Sequence, residues 1–416
     1  MICLFEDRKV VNFYPLTLTR PIYELRCGVM SLQGKIHTRF SEPLSFHCRD
    51  YLTQTLAQRA GKNRVNQWEK MARSDLLLIN GRVLLSGDEI PLEGEEELGI
   101  QGEDIVYARL RKKTMASFSK GSLRDIEVVL IQAMQRVRLR QVEAKLVEFP
   151  WDLVDGNREM IRKDFEIKDR RGIEGKVDRN AHLINPDLIY IGKGATVEAG
   201  VVLDASEGPI YIEEGVKIRP LTIVDGPSCI GRETTIDGAK IRGGCSIGPV
   251  CRIAGEIEES IIHGYTNKHH EGFIGHSYIG EWVNLGALTT TSDLKNTYGT
   301  VKVCINGKEI DTGKIKVGCF IGDHTKTGIG TLLDTGCVMG VAVNLFGGGR
   351  APKFIPSFSW GGGDELEENR LDKVLEVARI VMERRGIQQT PSERDLLKKV
   401  YQLTLKERKS AKVALS

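Results

Sequence analysis

Large aliphatic side chains recur every six residues along the second half of the chain, between Ile191 and Leu345. A helix has a period of about 3.6 and a strand a period of about 2, so neither explains this spacing. A short internal repeat of this kind is typical of a solenoid. We predict that each hexad forms one short strand and that three hexads close one triangular coil with the aliphatic side chains inside. The positions in phase are Ile212, Ile218, Val224, Ile230 and Ile236, then Ile279 and Leu285, then Ile321, Thr327, Leu333, Met339 and Leu345.

Residues 1–175 lack the hexad and alternate strand-like with helix-like segments. Residues 2–5 and 75–80 are apolar runs of strand length. Apolar side chains at helical spacing predict a helix over 123–146, with Ser122 as its N-cap. Strands that alternate with helices predict an α/β layer domain.

These patterns divide the chain into three parts: an α/β domain over 1–175, a β-helix over 187–349, and a C-terminal segment over 350–416. Residues 156–186 are rich in charge and short of apolar periodicity, so we expect them to connect the first two parts. In the last part, Thr390–Glu393 indicates a capping box with proline in the first turn of a helix.

The hexad is interrupted twice. At 261–273, Asn267 falls where the phase requires an aliphatic side chain, so we predict that the coil loops out or turns there. At 297–318, the strand-like residues 301–305 precede Asn306-Gly307, a turn pair typical of hairpins. Insertions in a solenoid map to loops, often on the functional face.

The 59 basic and 56 acidic residues give a net charge of +3. No basic stripe with interleaved aromatic residues is present, which argues against a nucleic-acid partner. No apolar run approaches the roughly 20 residues of a membrane span, and the N-terminal residues do not resemble a signal peptide. Nine scattered cysteines form no CxxC pair. A reduced, cytoplasmic location is consistent with this composition.

Two arginines lie in the stretch PLTLTRP…LRCG, over residues 15–28. Arg20 and Arg26 stand near threonine hydroxyls and before a predicted helix. Guanidinium groups suit phosphate oxygens, and a helix start adds backbone donors. The alternative is that both arginines are surface residues in ion pairs.

Four of the eight histidines, His263, His269, His270 and His276, lie in or beside the first interruption. They could be polar surface residues, zinc ligands, or a general base that accepts a proton from an amine or hydroxyl. The residues alone leave these three interpretations open.

The stretch 15–28, the strand end at 79–82 (INGR) and residues 150–153 (PWDL) resemble one family. It is the short sugar-nucleotidyltransferase domain of the N-acetylglucosamine-1-phosphate uridyltransferase/glucosamine-1-phosphate acetyltransferase-like proteins. The larger sugar nucleotidyltransferases carry a GxGTR loop after their first strand, where this chain has residues 6–8 (EDR).

The resemblance implies that a sugar 1-phosphate attacks a nucleoside triphosphate. Arg20, Arg26 and Asn80 would then contact phosphate groups, and Asp152 would bind Mg²⁺. Asn80 stands where the larger enzymes use a metal-binding aspartate. The absence of the GxGTR loop and of the metal-binding aspartate also allows a scaffold or regulatory homologue that has lost this chemistry.

Residues 268–275 (KHHEGFIG) and 279–287 (IGEWVNLGA) resemble the acetyltransferase segment of the same family. The resemblance implies a left-handed β-helix and a general base at His270. It also implies an asparagine at the sugar, Asn284, and an alanine beside acetyl-CoA, Ala287. Asp293 replaces an asparagine of the family, which implies altered substrate contacts.

Further candidates come from side-chain type. Arg252, Lys268 and Lys326 are basic residues that could contact phosphate groups of the sugar or of CoA. Asp323 and His324 could polarise the substrate or pair with each other. The resemblance implies a homotrimer with acetyl-CoA between two subunits. A metalloenzyme of the β-helix carbonic anhydrase type is the alternative that uses the histidines as zinc ligands.

Overall fold

The computed structural model describes residues 1–118, 125–362, 365–411 and 413–414. Contacts between Cα atoms divide the chain into two compact units. The first unit contains 1–13, 20–25 and 30–148, and the second contains 14–19, 26–29 and 149–416. The three-part division made from the sequence stays a prediction.

The first unit is built on a six-stranded mixed sheet with the order β2-β1-β3-β5-β4-β6. Its strands are β1 (Ile2–Phe5), β2 (Leu44–Phe46), β3 (Leu76–Asn80), β4 (Glu97–Gln101), β5 (Asp104–Leu110) and β6 (Arg138–Gln141). Its helices are α1 (Leu32–Arg39), α2 (Thr53–Ala60), α3 (Trp68–Met71), α4 (Lys112–Ala116) and α5 (Ile126–Met134). β1 runs parallel to both of its neighbours, β2 and β3. All residues of β1 and β3 are buried, as their apolar sequences predict.

The helix predicted over 123–146 is wrong in length. α5 ends at Met134, and residues 138–141 form β6 on the edge of the sheet beside β4. Residues 138–141 pair with the open edge of the sheet although their sequence has a helical pattern, because tertiary context often overrides local propensity. Asp125 caps α5 by accepting a hydrogen bond from the Glu127 N–H. The predicted cap, Ser122, lies outside the described residues.

The second unit is a three-sided parallel β-helix, which confirms the predicted fold class. Face 1 contains Gly172–Ile173, Ile189–Ile191, Ile210–Ile212, Ser228–Ile230, Cys245–Ile247, Ile261–Gly264, Tyr278–Glu281, Phe320–Ile321, Val338–Met339 and Phe354–Ile355. Face 2 contains Lys176–Val177, Thr196–Val197, Lys217–Ile218, Thr235–Ile236, Arg252–Ile253, Asn267–Lys268, Asn284–Leu285, Lys326–Thr327, Asn344–Leu345 and Ser359–Gly362, with Glu365–Glu368 antiparallel to the last. Face 3 contains His182–Ile184, Val202–Asp204, Ile223–Asp225, Lys240–Ile241, Glu256–Glu258 and Phe273–Gly275, and continues with Thr290–Thr291, Thr331–Leu333 and Gly349–Arg350.

Helix α6 (Pro150–Lys168) precedes the first coil and packs on face 1. Its Phe165 meets Tyr211 edge to face, with ring centroids 6.3 Å apart. Residues 156–168 were expected in a connector, but they form most of this helix. Its charged residues masked the apolar spacing of Leu153, Ile161 and Phe165, all of which are buried.

The second interruption of the hexad is a hairpin, as predicted. Lys302–Ile305 pairs antiparallel with Lys308–Asp311 across the Asn306-Gly307 turn. The coil then resumes in register, because Phe320 pairs with Tyr278 on face 1.

Three helices follow the solenoid: α7 (Leu371–Glu383), α8 (Pro391–Leu403) and α9 (Leu405–Ser410). The predicted capping box at the start of α8 is confirmed, since Thr390 and Glu393 bond to each other's backbone N–H. Arg408 of α9 is fully buried and forms a 2.8 Å ion pair with Glu368. No helix in the described ranges is both long enough and apolar enough to cross a membrane.

Buried aliphatic side chains fill the interior of the solenoid, and among the described residues Lys268 is a charged exception. The prediction that the coil loops out at Asn267 is wrong, because Asn267 points outward in an unbroken strand. The register pairs Ile236 with Ile253 and Ile253 with Lys268, so Lys268 takes the inward place. Burial lowers the pKa of Lys268 from 10.5 to about 8, although the charge of Glu271 opposes the shift.

A buried lysine predicts a specific dependence of stability on pH. The folded chain loses the Lys268 proton near pH 8, whereas the unfolded chain holds it to about pH 10.5. Between these values the unfolded state binds more protons, so stability rises with pH. Lys268→Met should therefore gain at most about 3 kcal/mol of stability over wild type at pH 7 from this source, less the cost of the two backbone carbonyls that lose their N–H donor. The difference should shrink as the pH rises above 8.

Urea unfolding of both proteins at several pH values checks this expectation. Ile236→Met is the matched control, because Ile236 occupies the same inward column two coils away. Its stability relative to wild type should not change with pH. If the stability difference between Lys268→Met and wild type were also independent of pH, this result would contradict the burial of the ammonium.

Candidate functional site

His270 lies at the corner between face 2 and face 3 and is exposed. It follows the strand Asn267–Lys268 by two residues. Its carbonyl oxygen accepts a hydrogen bond of 2.9 Å from Lys268 Nζ. The imidazole ring is 5.7 Å from that of His269. An exposed, neutral imidazole at such a corner is able to accept a proton from a bound molecule.

Stacking places Ala287 beside His270 on the next coil. The Leu288 N–H donates to the Glu271 carbonyl at 2.8 Å, which fixes the two corners one above the other. The corner row therefore contains both residues that the sequence assigned to base and acetyl-CoA contact. In the described part of the chain, the Ala287 N–H makes no hydrogen bond.

A second row runs along the outer side of face 2 beside this corner. Parallel register stacks Arg252, Asn267, Asn284, Lys326 and Asn344 in this order. The Asn267 side-chain amide donates to Asn284 Oδ1 at 2.8 Å. Three predicted substrate or cofactor residues, Arg252, Asn284 and Lys326, thus share one row.

Burial lowers the pKa of Lys326 to about 8. Its Nζ donates to the His324 carbonyl at 2.9 Å. A cavity of about 220 Å³ between this row and α7 is lined by Lys326, Asn344, Trp360 and Lys373. The end of the row at Lys326 and Asn344 therefore presents two lysines, Lys326 and Lys373, to this cavity.

Lys268 does not belong to this outer row. Its ammonium is inside the coil, where Nζ donates to the carbonyls of Ala254 at 2.7 Å and His270 at 2.9 Å. A group buried in this way cannot reach a phosphate outside the coil. Its predicted substrate contact is corrected to a contact with the backbone.

Two of the four clustered histidines, His263 and His276, lie apart from this corner on the solenoid. His263 lies on face 1, 3.1 Å from the Tyr278 hydroxyl. His276 Nδ1 lies 2.7 Å from Asp293 Oδ2 at the corner between faces 3 and 1. Burial raises the pKa of Asp293, but the hydrogen bond and charge of His276 outweigh it and lower the pKa overall. In the ranges that the structure describes, no three histidine, cysteine or acidic side chains are placed to hold a metal ion.

Asp323 is not placed to polarise a substrate. It is buried, and its carboxylate accepts hydrogen bonds from the Thr19 hydroxyl at 2.6 Å and the Glu281 N–H at 2.8 Å. These bonds fix a corner of the second unit. The ring of His324 lies nearly parallel to Trp282, with centroids 6.3 Å apart. The predicted substrate role of Asp323 is corrected to a structural one.

In the first unit, charged groups collect at the carboxyl ends of β1 and β3. Arg82 is completely buried and pairs with Asp7 at 2.8 Å and Asp104 at 2.9 Å. The predicted phosphate residue Asn80 donates to Asp7 Oδ2 at 2.9 Å. Ligands of open α/β sheets bind at the carboxyl ends of strands. Asp7 was missed from the sequence, although its place directly after the first strand is a signal that could have found it.

A cavity of about 460 Å³ opens at the same strand ends. Arg8, His47 and Arg49 line it together with several acidic residues. Arg49 pairs with Glu6 and also donates to the Arg20 carbonyl at 3.0 Å. Arg20 itself is buried. The structure therefore offers Arg8 and Arg49 as the cationic groups of this cavity.

Two predicted residues of the nucleotide site belong to the second unit. Arg26 donates from its guanidinium to the Val29 carbonyl at 2.9 Å. Asp152 Oδ2 accepts the Phe149 N–H at 3.0 Å and so caps α6. This hydrogen bond uses one of the two carboxylate oxygens. The Mg²⁺ contact of Asp152 stays a prediction, and the Asp7 carboxylate of the first unit is paired with Arg82.

A family model described as "Sugar nucleotidyl transferase" matches residues 2–171. A bifunctional sugar-1-phosphate nucleotidylyltransferase/acetyltransferase of Sulfurisphaera tokodaii is 30% identical over 173 residues, which are 39% of this chain and 40% of the relative. The bifunctional protein GlmU of Methanocaldococcus jannaschii is 31% identical over 188 residues, which are 43% of this chain and 38% of the relative. The chain thus matches about two fifths of the length of these relatives.

Two solved structures show lower similarity. AntD, an N-acyltransferase from Bacillus cereus in complex with dTDP and 3-hydroxybutyryl-CoA, is 12% identical, with 54% of this chain and 96% of that chain covered and a TM-score of 0.18. An Arabidopsis UDP-N-acetylglucosamine acyltransferase is 14% identical, with 52% and 79% covered and a TM-score of 0.22. By the sequence matches, residues 2–171 are similar to the sugar nucleotidyl transferase family, and part of the chain is similar to a bifunctional sugar-1-phosphate nucleotidylyltransferase/acetyltransferase.

Proposed function

We propose that the solenoid transfers an acetyl group from acetyl-CoA to the amino group of an amino-sugar phosphate. The observation that carries this proposal is the corner row. There, in the described part of the chain, an exposed imidazole, His270, stands one coil from a backbone N–H without a partner, at Ala287. The relative from Sulfurisphaera tokodaii is a bifunctional sugar-1-phosphate nucleotidylyltransferase/acetyltransferase.

His270 acts as the general base. Its neutral imidazole removes a proton from the amine as the nitrogen attacks the thioester carbonyl. The new C–N bond forms, the C–S bond breaks, and the sulfur of CoA leaves with a proton. The Ala287 N–H stabilises the oxyanion, a contribution typically worth about 3 kcal/mol.

The outer row of face 2 binds the sugar phosphate. Asn284 offers a side-chain oxygen and amide for sugar hydroxyls, and Arg252 offers a guanidinium for the phosphate. Lys326, which lines the cavity beside α7, offers an N–H donor for a phosphate of CoA. Asp293 is held by His276, so any contact that it makes with substrate is altered from the family pattern.

His270→Ala should lower kcat for acetyl transfer by about 10²–10⁴-fold, because it removes the base without touching the coil interior. His182→Ala is the matched control, since His182 is an exposed histidine on face 3 in an early coil. Release of the CoA thiol from acetyl-CoA in the presence of glucosamine 1-phosphate measures both. Equal turnover in wild type and His270→Ala would remove His270 from the mechanism.

We further propose that the solenoid assembles as a homotrimer with the acetyl-CoA cleft between two subunits. Apolar side chains are exposed on two successive coils at the corner between faces 2 and 3: Leu288 is 56% exposed and Ile329 72%. A contiguous exposed apolar ridge is typical of a contact surface. A second copy covering this ridge would also close one side of the cleft at His270.

Ile329→Glu should dissociate the trimer and reduce acetyl transfer, because it buries a charge at the contact. Sedimentation velocity gives the mass, and circular dichroism checks the fold. Leu92→Glu is the control, since Leu92 is an exposed apolar residue of the first unit. A wild-type monomer with full activity would contradict the assembly.

A second function, nucleotidyl transfer, is favoured by the family match over residues 2–171 and the cavity at the strand ends. The phosphate oxygen of a sugar 1-phosphate would attack the α-phosphate of a nucleoside triphosphate, and pyrophosphate would leave. Arg8 and Arg49 would bind the phosphates. No step is assigned to a metal ion.

Arg49→Ala should weaken binding of a nucleoside triphosphate by at least about tenfold, since it removes a charge-assisted hydrogen bond. Arg59→Ala is the control, because Arg59 forms an exposed ion pair with Glu24 in the same unit. Calorimetry with UTP and with ATP measures the binding. Absence of binding to the wild type would favour the scaffold interpretation of this unit.

The compartment stays a proposal. All nine cysteines are free and eight of them are buried. We infer a reducing, cytoplasmic environment, where such thiols persist.

A further inference from the structure

Among the residues that the structure describes, no side chain forms a hydrogen bond that holds the imidazole of His270 in place. Its ring neighbour is the ring of His269, at 5.7 Å between centroids. A histidine base usually has its second nitrogen held by a carbonyl or a carboxylate. Without such a partner, the reach of the His270 ring depends on where the backbone of the corner holds its Cβ.

Lys268 holds that backbone from inside the coil. Its Nζ bonds at the same time to the carbonyl of His270 and to that of Ala254 on the preceding coil. The neighbouring Gly255 leaves the space for this contact, because a Cβ there would lie 2.6 Å from Nζ and 2.7 Å from the Gly272 carbonyl. The ammonium thus ties the corner that carries His270 to the coil beneath it.

We infer that Lys268 is a positioning residue, which fixes the corner of His270 so that the imidazole faces the acetyl-CoA cleft. This inference rests on the proposed acetyl transfer. The lysine takes a place that neighbouring coils give to Ile253 and Leu285. An aliphatic side chain would serve the core better, because burial of an ammonium is unfavourable. Positioning of the corner that carries His270 would explain why a lysine occupies this inward place.

The contact does not depend on the charge of the lysine. Two carbonyls need two N–H donors, and both the ammonium and the neutral amine supply them. Burial lowers the pKa of Lys268 to about 8, so both forms occur near neutral pH. Glu271 is the charged group that acts on it, and it lies at the exposed side of the corner.

Lys268→Met tests the inference, because methionine fills the inward place without donating a hydrogen bond. We expect kcat for acetyl transfer to fall by about 10- to 100-fold, since small displacements of a catalytic group have effects of this size. KM for acetyl-CoA should stay within about threefold, since Lys268 does not reach the cleft. The thermal midpoint should not fall. Ile236→Met in the same column should leave kcat, KM and the midpoint unchanged.

The reaction of His270 with diethyl pyrocarbonate gives a readout that needs no turnover. Mass spectrometry of the peptide containing residue 270, with fragmentation to separate it from His269, gives the rate of modification. We expect Lys268→Met to change this rate severalfold and Ile236→Met to leave it unchanged. If the wild type transfers no acetyl group, the proposed function fails, and this rate still decides the positioning role.

Two outcomes would overturn the inference. One is a Lys268→Met protein with the kcat and the modification rate of wild type. The other is a protein whose kcat falls only together with its thermal midpoint, with KM raised in proportion, which would show a general loss of structure. A fall in kcat with KM and stability maintained would support the inference.

Discussion

Parallel hydrogen bonding between stacked coils is the constraint on which the second unit depends. Each coil repeats the backbone path of the coil before it, so residues far apart in sequence occupy equivalent places. Thr235 pairs with Arg252, Arg252 with Asn267, and Asn267 with Asn284. The register therefore converts a one-dimensional repeat into rows of side chains. The proposed site is the point at which the face 2 row and the corner of His270 meet.

The same constraint explains why the long insertion is tolerated. The hairpin Lys302–Asp311 leaves the solenoid after face 3, and the chain returns to pair Phe320 with Tyr278. Its two strands satisfy each other's backbone groups, so the coils above and below lose no partners. Loop closure over such a length adds little entropic cost. The corner of His270 and the row of Lys326 remain in register on either side of it.

Local patterns allowed much of the fold to be predicted from the sequence. The hexad, the Asn-Gly hairpin and the capping box at Thr390 depend on neighbouring residues, and all three are confirmed. The repeat was identified by aliphatic side chains at the inward positions, so an inward lysine at position 268 could not be predicted. The same assumption made Asn267 look like an interruption of the coil. The site residues His270, Ala287 and Asn284 could be placed in rows only after the register was known.

Roles assigned by side-chain type failed where a distant contact decides them. Asp323 bonds to Thr19, 304 residues away in sequence, and no local pattern reports such a contact. Asp152 was assigned by resemblance, and its contact is local: it accepts the N–H of Phe149, three residues before it, at the start of α6. A carboxylate serves equally well as a metal ligand, a helix cap or a hydrogen-bond acceptor. Which of these roles a carboxylate has is determined by the groups that surround it in the folded structure.

The first unit shows the consequence of this ambiguity for phosphate binding. Its arginines are already paired: Arg82 with Asp7 and Asp104, and Arg49 with Glu6. Arg8 pairs with Glu127. A carboxylate and a phosphate present similar oxygen pairs to a guanidinium. A nucleotide that enters this cavity therefore has to displace a carboxylate from Arg49 or Arg8, and the energy of the original pair is subtracted from its affinity. The exposed pair of Arg8 is the weaker one, because water screens it, so exchange begins there.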